Sequence, residues 1–352
     1  MKKAAVITLH YIRNYGSVLQ TFATQYMFEK LGYSVEIIDY IRPNMRNDGR
    51  KKAGGNILRN VVYTVENWFI NRVCTAFLQK YVHLTRNYED YQALAAEPPG
   101  ADVYITGSDQ TWNSEYNGGV LPAYYLDFAP GGCKRIGYSV SIGMNNFPDE
   151  EKAQIKSYIE KYDAVSVRDK RAKYLLKDLG YQNVEQVIDP TLALSREDWC
   201  PLFSKKMIRG KYILIYKLNR NPLLEEYAKK LAKETGCKIV RVTYWLSNLF
   251  HGGKGIFCPN VGAFLSLIDN AEYVLTDSFH CTAFSLNFHK NIYVFYPGKY
   301  SSRLQSVLEL TGTEHRVIRD TAERPDEIDF SHVDDVLLRE RSRIVAFMKE
   351  NC

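Results

Sequence analysis

The sequence predicts an α/β fold of two Rossmann-like domains facing a cleft, and three observations predict it. The chain has 352 residues, too many for one ordinary core and comfortable for two. Residues 4–39 read as strand, helix and strand, a βαβ unit whose crossover demands parallel pairing. From Tyr212 onward the same alternation returns, so a second parallel sheet is expected there. The domains are placed at 1–195 and 210–330, with 331–352 as a terminal helix.

In the first half, Ala4–Leu9 is a short β-branched run, followed by the polar loop His10–Gly16. Val18, Leu19, Phe22, Ala23, Tyr26 and Met27 then recur at helical spacing up to Gly32, and Val35–Ile38 is the next strand. Asn14, Tyr15 and Gly16 open that helix, and glycine there lets backbone approach a ligand. The loop lacks the GxGxxG fingerprint, which argues against a dinucleotide cofactor. Arg42, Arg46, Arg50, Lys51 and Lys52 fall in a Gly- and Asn-rich stretch and read as a solvated loop. Behind them Ile57, Val61, Val65, Trp68, Phe69 and Phe77 mark a long helix with an apolar face, for packing or for a bilayer interface.

Val103–Thr106 is a strand that empties into Gly107-Ser108-Asp109-Gln110-Thr111-Trp112-Asn113. Small polar groups at a strand's carboxyl end are a site geometry. Gly107 permits the turn, Ser108, Asp109 and Gln110 suit sugar hydroxyls, and Trp112 suits a sugar face; the plainer reading is a turn and a core tryptophan. Arg135–Ser141 and Ala164–Val167 are further strands, the second ending on Arg168, whose guanidinium can fork onto a carboxylate or phosphate or pair with Asp169. Val187–Thr191 reads as the last strand of this half.

In the second half the strands are Tyr212–Tyr216, Lys238–Thr243, Tyr273–Thr276 and Ile292–Phe295. The segment Thr276-Asp277-Ser278-Phe279-His280 passes from strand directly into helix, placing small hydroxyls, a carboxylate and an imidazole near unpaired backbone N–H groups. Lys217 follows the first of these strands and points to the same edge. Val333, Leu337, Ile344, Phe347 and Met348 form an apolar stripe on the terminal helix.

Seven scattered cysteines without CxxC spacing read as reduced thiols, and seven dispersed histidines without a ligand pair suggest no metal. A net charge of +6 suits anionic small molecules or an anionic membrane surface, and no aromatic-basic ladder for nucleic acid is present. No apolar run of about 18 residues suggests a membrane span, and Met1-Lys2-Lys3 leads straight into a strand, so a cytoplasmic location is expected, with peripheral contact at the inner membrane surface.

The segments NYGSVLQTFATQ from Asn14, GSDQTWN from Gly107, SVRD at Ser166–Asp169, IDPTL at Ile188–Leu192 and TDSFH from Thr276 together resemble the polysaccharide pyruvyl transferase family, in the family's order and over nearly the whole chain. YSVSIG from Tyr138 stands for the family's more usual YSASFG, and Ser302-Arg303 matches a serine-arginine of the family. The resemblance implies the two-domain GT-B glycosyltransferase architecture, in which a terminal helix, here 331–352, crosses back to the first domain. It also implies transfer of a pyruvyl group from phosphoenolpyruvate onto a sugar as a ketal, in cell-surface polysaccharide synthesis. Phosphoenolpyruvate is then the donor substrate and no cofactor is needed; the acceptor is a sugar or lipid-linked saccharide.

A donor of about three negative charges calls for cations and helix N-termini, here Arg168, Lys217, Arg303 and the turn Ser278–His280. His280 is a candidate proton donor or phosphate ligand, and Asp109 and Asp277 are candidate bases. Asn14, Tyr15, Gly16, Ser108, Gln110 and Trp112 are the acceptor-side candidates. Two rivals share the architecture: a nucleotide-sugar glycosyltransferase, and a non-catalytic sugar-binding or assembly protein.

Overall fold

The computed structural model describes residues 1–43, 57–297 and 301–352. The basic residues Arg46, Arg50, Lys51 and Lys52 lie outside the described residues. Two compact units emerge. Among the described residues the first holds 1–43, 75–193 and 340–352, and the second 57–74, 194–297 and 301–339.

The first unit is built on a parallel sheet of β1 (Lys3–Ile7), β2 (Ser34–Tyr40), β3 (Leu84–Tyr88), β4 (Val103–Thr106), β5 (Lys134–Val140), β6 (Ala164–Val167) and β7 (Val184–Gln186). Their order is β3-β2-β1-β4-β5-β6-β7, so the direction of winding reverses between β1 and β4. The central strands read as unbroken apolar runs because both their faces are covered; every residue of β4 and β6 is buried. One face carries Ile7, Tyr104, Val140 and Val165 into a core with Leu94, Trp112, Ile155 and Leu175.

The second unit repeats the plan with β8 (Tyr212–Tyr216), β9 (Lys238–Thr243), β10 (Lys254–Phe257), β11 (Tyr273–Thr276) and β12 (Asn291–Val294), in the order β10-β9-β8-β11-β12. Here the reversal falls between β8 and β11, which pair in register from Tyr273↔Ile213 to Thr276↔Tyr216. Ile213, Ile215 and Leu275 pack with Leu224, Tyr227 and Leu231 of the Pro222–Thr235 helix. That helix is set by an Asn221 N-cap, Pro222 in its first turn and Gly236 in the left-handed conformation after its end.

Several sequence readings are corrected. The last strand of the first unit is Val184–Gln186, earlier than Val187–Thr191: beyond it Asp189 accepts the Thr191 N–H at 2.9 Å and Pro190–Ala193 makes a helical turn. Strands β3 and β10, both at sheet edges, were not foreseen. Arg42, counted among the loop cations, is buried and donates to the Tyr116 carbonyl at 2.8 Å and to Asn117 Oδ1 at 2.5 Å. The second compact unit begins at Leu194 and not at 210, and residues 57–74 cluster with it although they precede 195. Glu66 and Phe69 show why, through a hydrogen bond to Leu246 N–H at 2.6 Å and a ring contact with Phe257 at 5.3 Å. The Phe330–Asn351 helix passes from the second unit into the first, where Arg341 donates to the Leu192 carbonyl at 3.0 Å. Among the described residues, no helix is long and apolar enough to cross a membrane.

Candidate functional site

In the first unit the polar residues that follow β1, β4, β6 and β7 gather at the carboxyl edge of the sheet, beside the reversal point where ligands of such sheets bind. Thr8 ends β1 and donates to the Ser108 carbonyl at 2.7 Å. Gly107 serves this approach, since a Cβ there would stand 3.1 Å from Thr8 Cβ and 3.2 Å from Val6 Cγ1. The turn expected of Gly107 is made by Asp109, whose φ is 73°. A non-glycine residue in that region costs about 1–3 kcal/mol. Four hydrogen bonds over-determine it: its carbonyl accepts from Thr111 N–H at 2.8 Å and Ser141 N–H at 3.0 Å, and its carboxylate from Gln110 N–H at 3.0 Å and Arg168 at 3.2 Å.

Arg168 is the centre of this cluster. Its Nη1 donates to Asp189 Oδ2 at 2.5 Å and to Ser108 Oγ at 3.2 Å, and its Nη2 to Asp109 Oδ1 at 3.2 Å. The Arg168 and Asp189 side chains are 1% and 0% exposed. Burial pulls the guanidinium pKa down, but the charges of Asp189 and Asp109 outweigh it and the net shift is upward. Arg168, expected as a donor ligand, is thus bonded to two carboxylates of its own unit. Asp169, its expected alternative partner, instead caps the Lys170–Asp178 helix through Ala172 N–H at 2.7 Å.

The remaining first-unit candidates are buried to differing degrees. Trp112, expected to stack on a sugar, is 1% exposed; it stacks on Tyr125 at 5.2 Å and donates its indole N–H to the Tyr124 carbonyl at 2.9 Å. Tyr15, Gly16 and Ser108 are buried, and Asn14 caps the Tyr15–Lys30 helix by accepting Gly16 N–H at 2.8 Å. Gln110 is half-buried, with its Oε1 accepting from Asn113 Nδ2 at 2.7 Å. Sequence reasoning missed Asp189 as the partner of Arg168, although IDPTL carried it. It also missed His10, a fully buried imidazole held between the Thr8 carbonyl at 3.2 Å and Asp39 Oδ1 at 3.1 Å.

In the second unit the two loops flanking the reversal point are tied together by Asp277. Its carboxylate accepts from Leu218 N–H at 2.6 Å, Asn219 N–H at 2.9 Å and Asn219 Nδ2 at 3.0 Å. Three donors make Asp277 a fastener of the loop after β8. Thr276 Oγ1 donates to the Tyr216 carbonyl at 2.6 Å and accepts Ser278 N–H at 3.0 Å, so the turn between β11 and the Phe279–Asn287 helix is fixed from both sides. Ser278 is that helix's N-cap, and His280 stands in its first turn, 7% exposed, edge-on to the Phe279 ring at 5.1 Å.

Lys217, one residue past β8, lies 2.5 Å from Glu225 Oε1, and Glu225 is shared with Arg241, whose nitrogens lie 3.0 and 2.7 Å from its two oxygens. Burial pushes the Glu225 carboxyl up, but the hydrogen bonds from Lys217 and Arg241 outweigh it and hold it below the usual glutamate range. Two cations meet on one carboxylate here, and the second carboxylate of this edge, Asp277, is met by N–H groups of the loop after β8. Glu225 and Arg241 were not read as site residues, because one lies inside a helix and the other inside a strand. Arg303 falls in the first turn of the Ser301–Thr311 helix and is half-buried. Among the described residues no three His, Cys, Asp or Glu side chains gather where a metal ion could sit.

Comparison with known proteins agrees with this layout. The UDP-GlcNAc 2-epimerase from Methanocaldococcus jannaschii is similar over 99% of this chain and 100% of its own, with a TM-score of 0.51 at 13% identity. A UDP-N-acetylglucosamine 2-epimerase structure from Listeria monocytogenes gives a TM-score of 0.52 at 12% identity, covering 97% of this chain and 90% of that one. At such identities the likeness carries the fold, two Rossmann-like domains of the GT-B kind, and nothing of the chemistry. No curated protein matches the chain. The family model of polysaccharide pyruvyl transferase matches residues 14–298, a span that holds the second sheet's reversal point and the polar residues after β4, β6 and β7, and the chain belongs to the polysaccharide pyruvyl transferase family.

Proposed function

We propose that the protein transfers a pyruvyl group from phosphoenolpyruvate onto two hydroxyls of a saccharide as a ketal, and that the carboxyl edge of the second sheet binds the donor. The observation that supports this is the pairing of an anchored helix N-terminus with two cations at one reversal point. Ser278 and His280 open the Phe279–Asn287 helix after β11, and the Lys217–Glu225–Arg241 group follows the adjacent β8. The positive end of a helix and nearby cations both favour a phosphorylated carboxylate.

In the reaction a proton adds to the methylene carbon of phosphoenolpyruvate and the central carbon becomes electrophilic. One sugar hydroxyl adds there and loses its proton; phosphate then departs, and a second hydroxyl of the sugar closes the ketal. Of the two protons released by the sugar, one replaces the proton spent on the methylene and the other leaves with phosphate. To His280, in the first turn of that helix, we assign giving the first proton or assisting phosphate departure, a role worth roughly 10²–10⁴ in rate.

Titration calorimetry of phosphoenolpyruvate into the wild type and into His280→Ala and Lys217→Ala, with phosphate release measured alongside, tests the reading. Lys217→Ala should weaken donor binding by about 1.5–3 kcal/mol. His280→Ala should lower kcat without a matching change in KM if the imidazole is the proton donor, and raise the donor KM if it holds phosphate. An absence of donor binding by the wild type, with saccharide acceptor present, overturns the proposal.

A further inference from the structure

The first turns of the Ile57–Tyr81 helix are apolar on the wrong side. Glu66, Ile70 and Cys74 face inward, at 6%, 2% and 5% exposure, and Glu66 spends its carboxylate on Leu246 N–H. Outward stand Val61 (53%), Val65 (39%), Trp68 (53%) and Phe69 (38%), spaced to share one face. The turn that Glu66 holds, Leu246–Phe250, ends on Phe250, 86% exposed. Single exposed apolar residues are ordinary, but a run of them along one helix marks an interaction surface.

Within the two segments that carry this surface, 57–81 and 244–260, the exposed charges have one sign. Arg59, Arg72 and Lys254 are exposed, and the Arg72 guanidinium lies 5.4 Å from the Trp68 ring centre. Within 57–81 the one acidic residue is the buried Glu66, and 244–260 contains none. A second copy of this chain, docked antiparallel through the same face, would set Arg59 and Arg72 of one helix against Arg72 and Arg59 of the other, with no exposed carboxylate on the helix to relieve them. An anionic lipid surface satisfies both halves of the pattern: apolar side chains and a tryptophan enter the acyl boundary while the arginines meet phosphate headgroups.

We infer that residues 57–74 and the Leu246–Phe250 turn form a peripheral docking face for an anionic bilayer. The inference goes beyond the donor reading and does not depend on it, because docking requires no phosphoenolpyruvate. The test is co-sedimentation of the full chain with vesicles of phosphatidylcholine alone and of phosphatidylcholine mixed with phosphatidylglycerol, at low and high salt, without donor. Binding should require phosphatidylglycerol and weaken as salt rises. Trp68→Ser should weaken it about tenfold or more, and Arg72→Gln about fivefold. Phe250→Ser, at a residue outside every core, keeps the test valid if the tryptophan variant folds poorly, and it should also bind more weakly. Absent binding, or binding indifferent to all three substitutions, overturns the inference. So does a vesicle-free dimer, seen by light scattering, that Trp68→Ser returns to monomer, for then a second copy covers the face.

Discussion

Replacing Arg168 by alanine separates a structural from a substrate-binding role. The truncation leaves Asp189, whose side chain is 0% exposed, and Asp109, at 11%, without their shared cation. Breaking a buried pair by removing one partner costs about 3–5 kcal/mol. Asp189 retains hydrogen bonds from Thr191 N–H at 2.9 Å, Thr191 Oγ1 at 2.6 Å and Ser108 Oγ at 3.2 Å, and Asp109 retains Gln110 N–H at 3.0 Å. These place the loss near the lower end, about 3 kcal/mol, or roughly 6–12 °C in Tm for a unit of this size. Scanning calorimetry of wild type, Arg168→Ala, Asp189→Asn and the double variant measures it. The two single losses should not add, because removing both charges relieves the uncompensated one. A variant that melts like the wild type while its donor KM rises by tenfold or more would refute the argument and return Arg168 to the substrate.

Other expectations follow from single contacts. Gly143 has φ 67°, and a Cβ on it would lie 2.2 Å from Gln110 Oε1, so Gly143→Ala should cost about 1–3 kcal/mol in urea unfolding and displace the Gln110–Asn113 pair. Glu225 is held below its ordinary value of 4.5, so its contribution to stability is complete above that value and fades as pH falls through the depressed one; Glu225→Gln should flatten the acid limb of the stability profile below pH 4.5. The Cys258 and Cys281 thiols are pushed up to about 12 by burial, and only Cys133 and Cys200 are half-exposed, so a thiol reagent on native protein should react rapidly at those two and slowly elsewhere.

How much of this was legible in the sequence depended on position within each sheet. Strands inside the sheets, such as β4, β6, β8 and β11, are largely apolar because both their faces are covered, and their ends were marked by abrupt polar runs. The strands that escaped notice, β3 and β10, are sheet edges with half-exposed sequences, Leu-Thr-Arg-Asn-Tyr and Lys-Gly-Ile-Phe, which carry neither an apolar run nor clean alternation. The outward valines and tryptophan of the 57–74 helix were visible as periodicity, but periodicity alone does not say which side of a helix faces the core.

The site was harder to read than the fold because one rule has two consequences. Polar residues at strand ends of a buried sheet are kept either to meet a ligand or to satisfy one another, and both uses select the same residue types. Which use prevails is a matter of partners. In the first sheet Arg168, after β6, meets Asp189, after the adjacent β7, and Asp109, after β4, and the three side chains bond to one another. In the second sheet Lys217, after β8, and Arg241, inside the adjacent β9, share the carboxylate of Glu225, while Asp277, after the adjacent β11, is bonded by the Leu218 and Asn219 N–H groups. A helix N-terminus also opens at that second edge, with Ser278 as its cap and His280 in its first turn. The donor contacts we propose therefore lie around Lys217 and the Ser278–His280 turn, and the Arg168 group holds Asp109 in its left-handed turn.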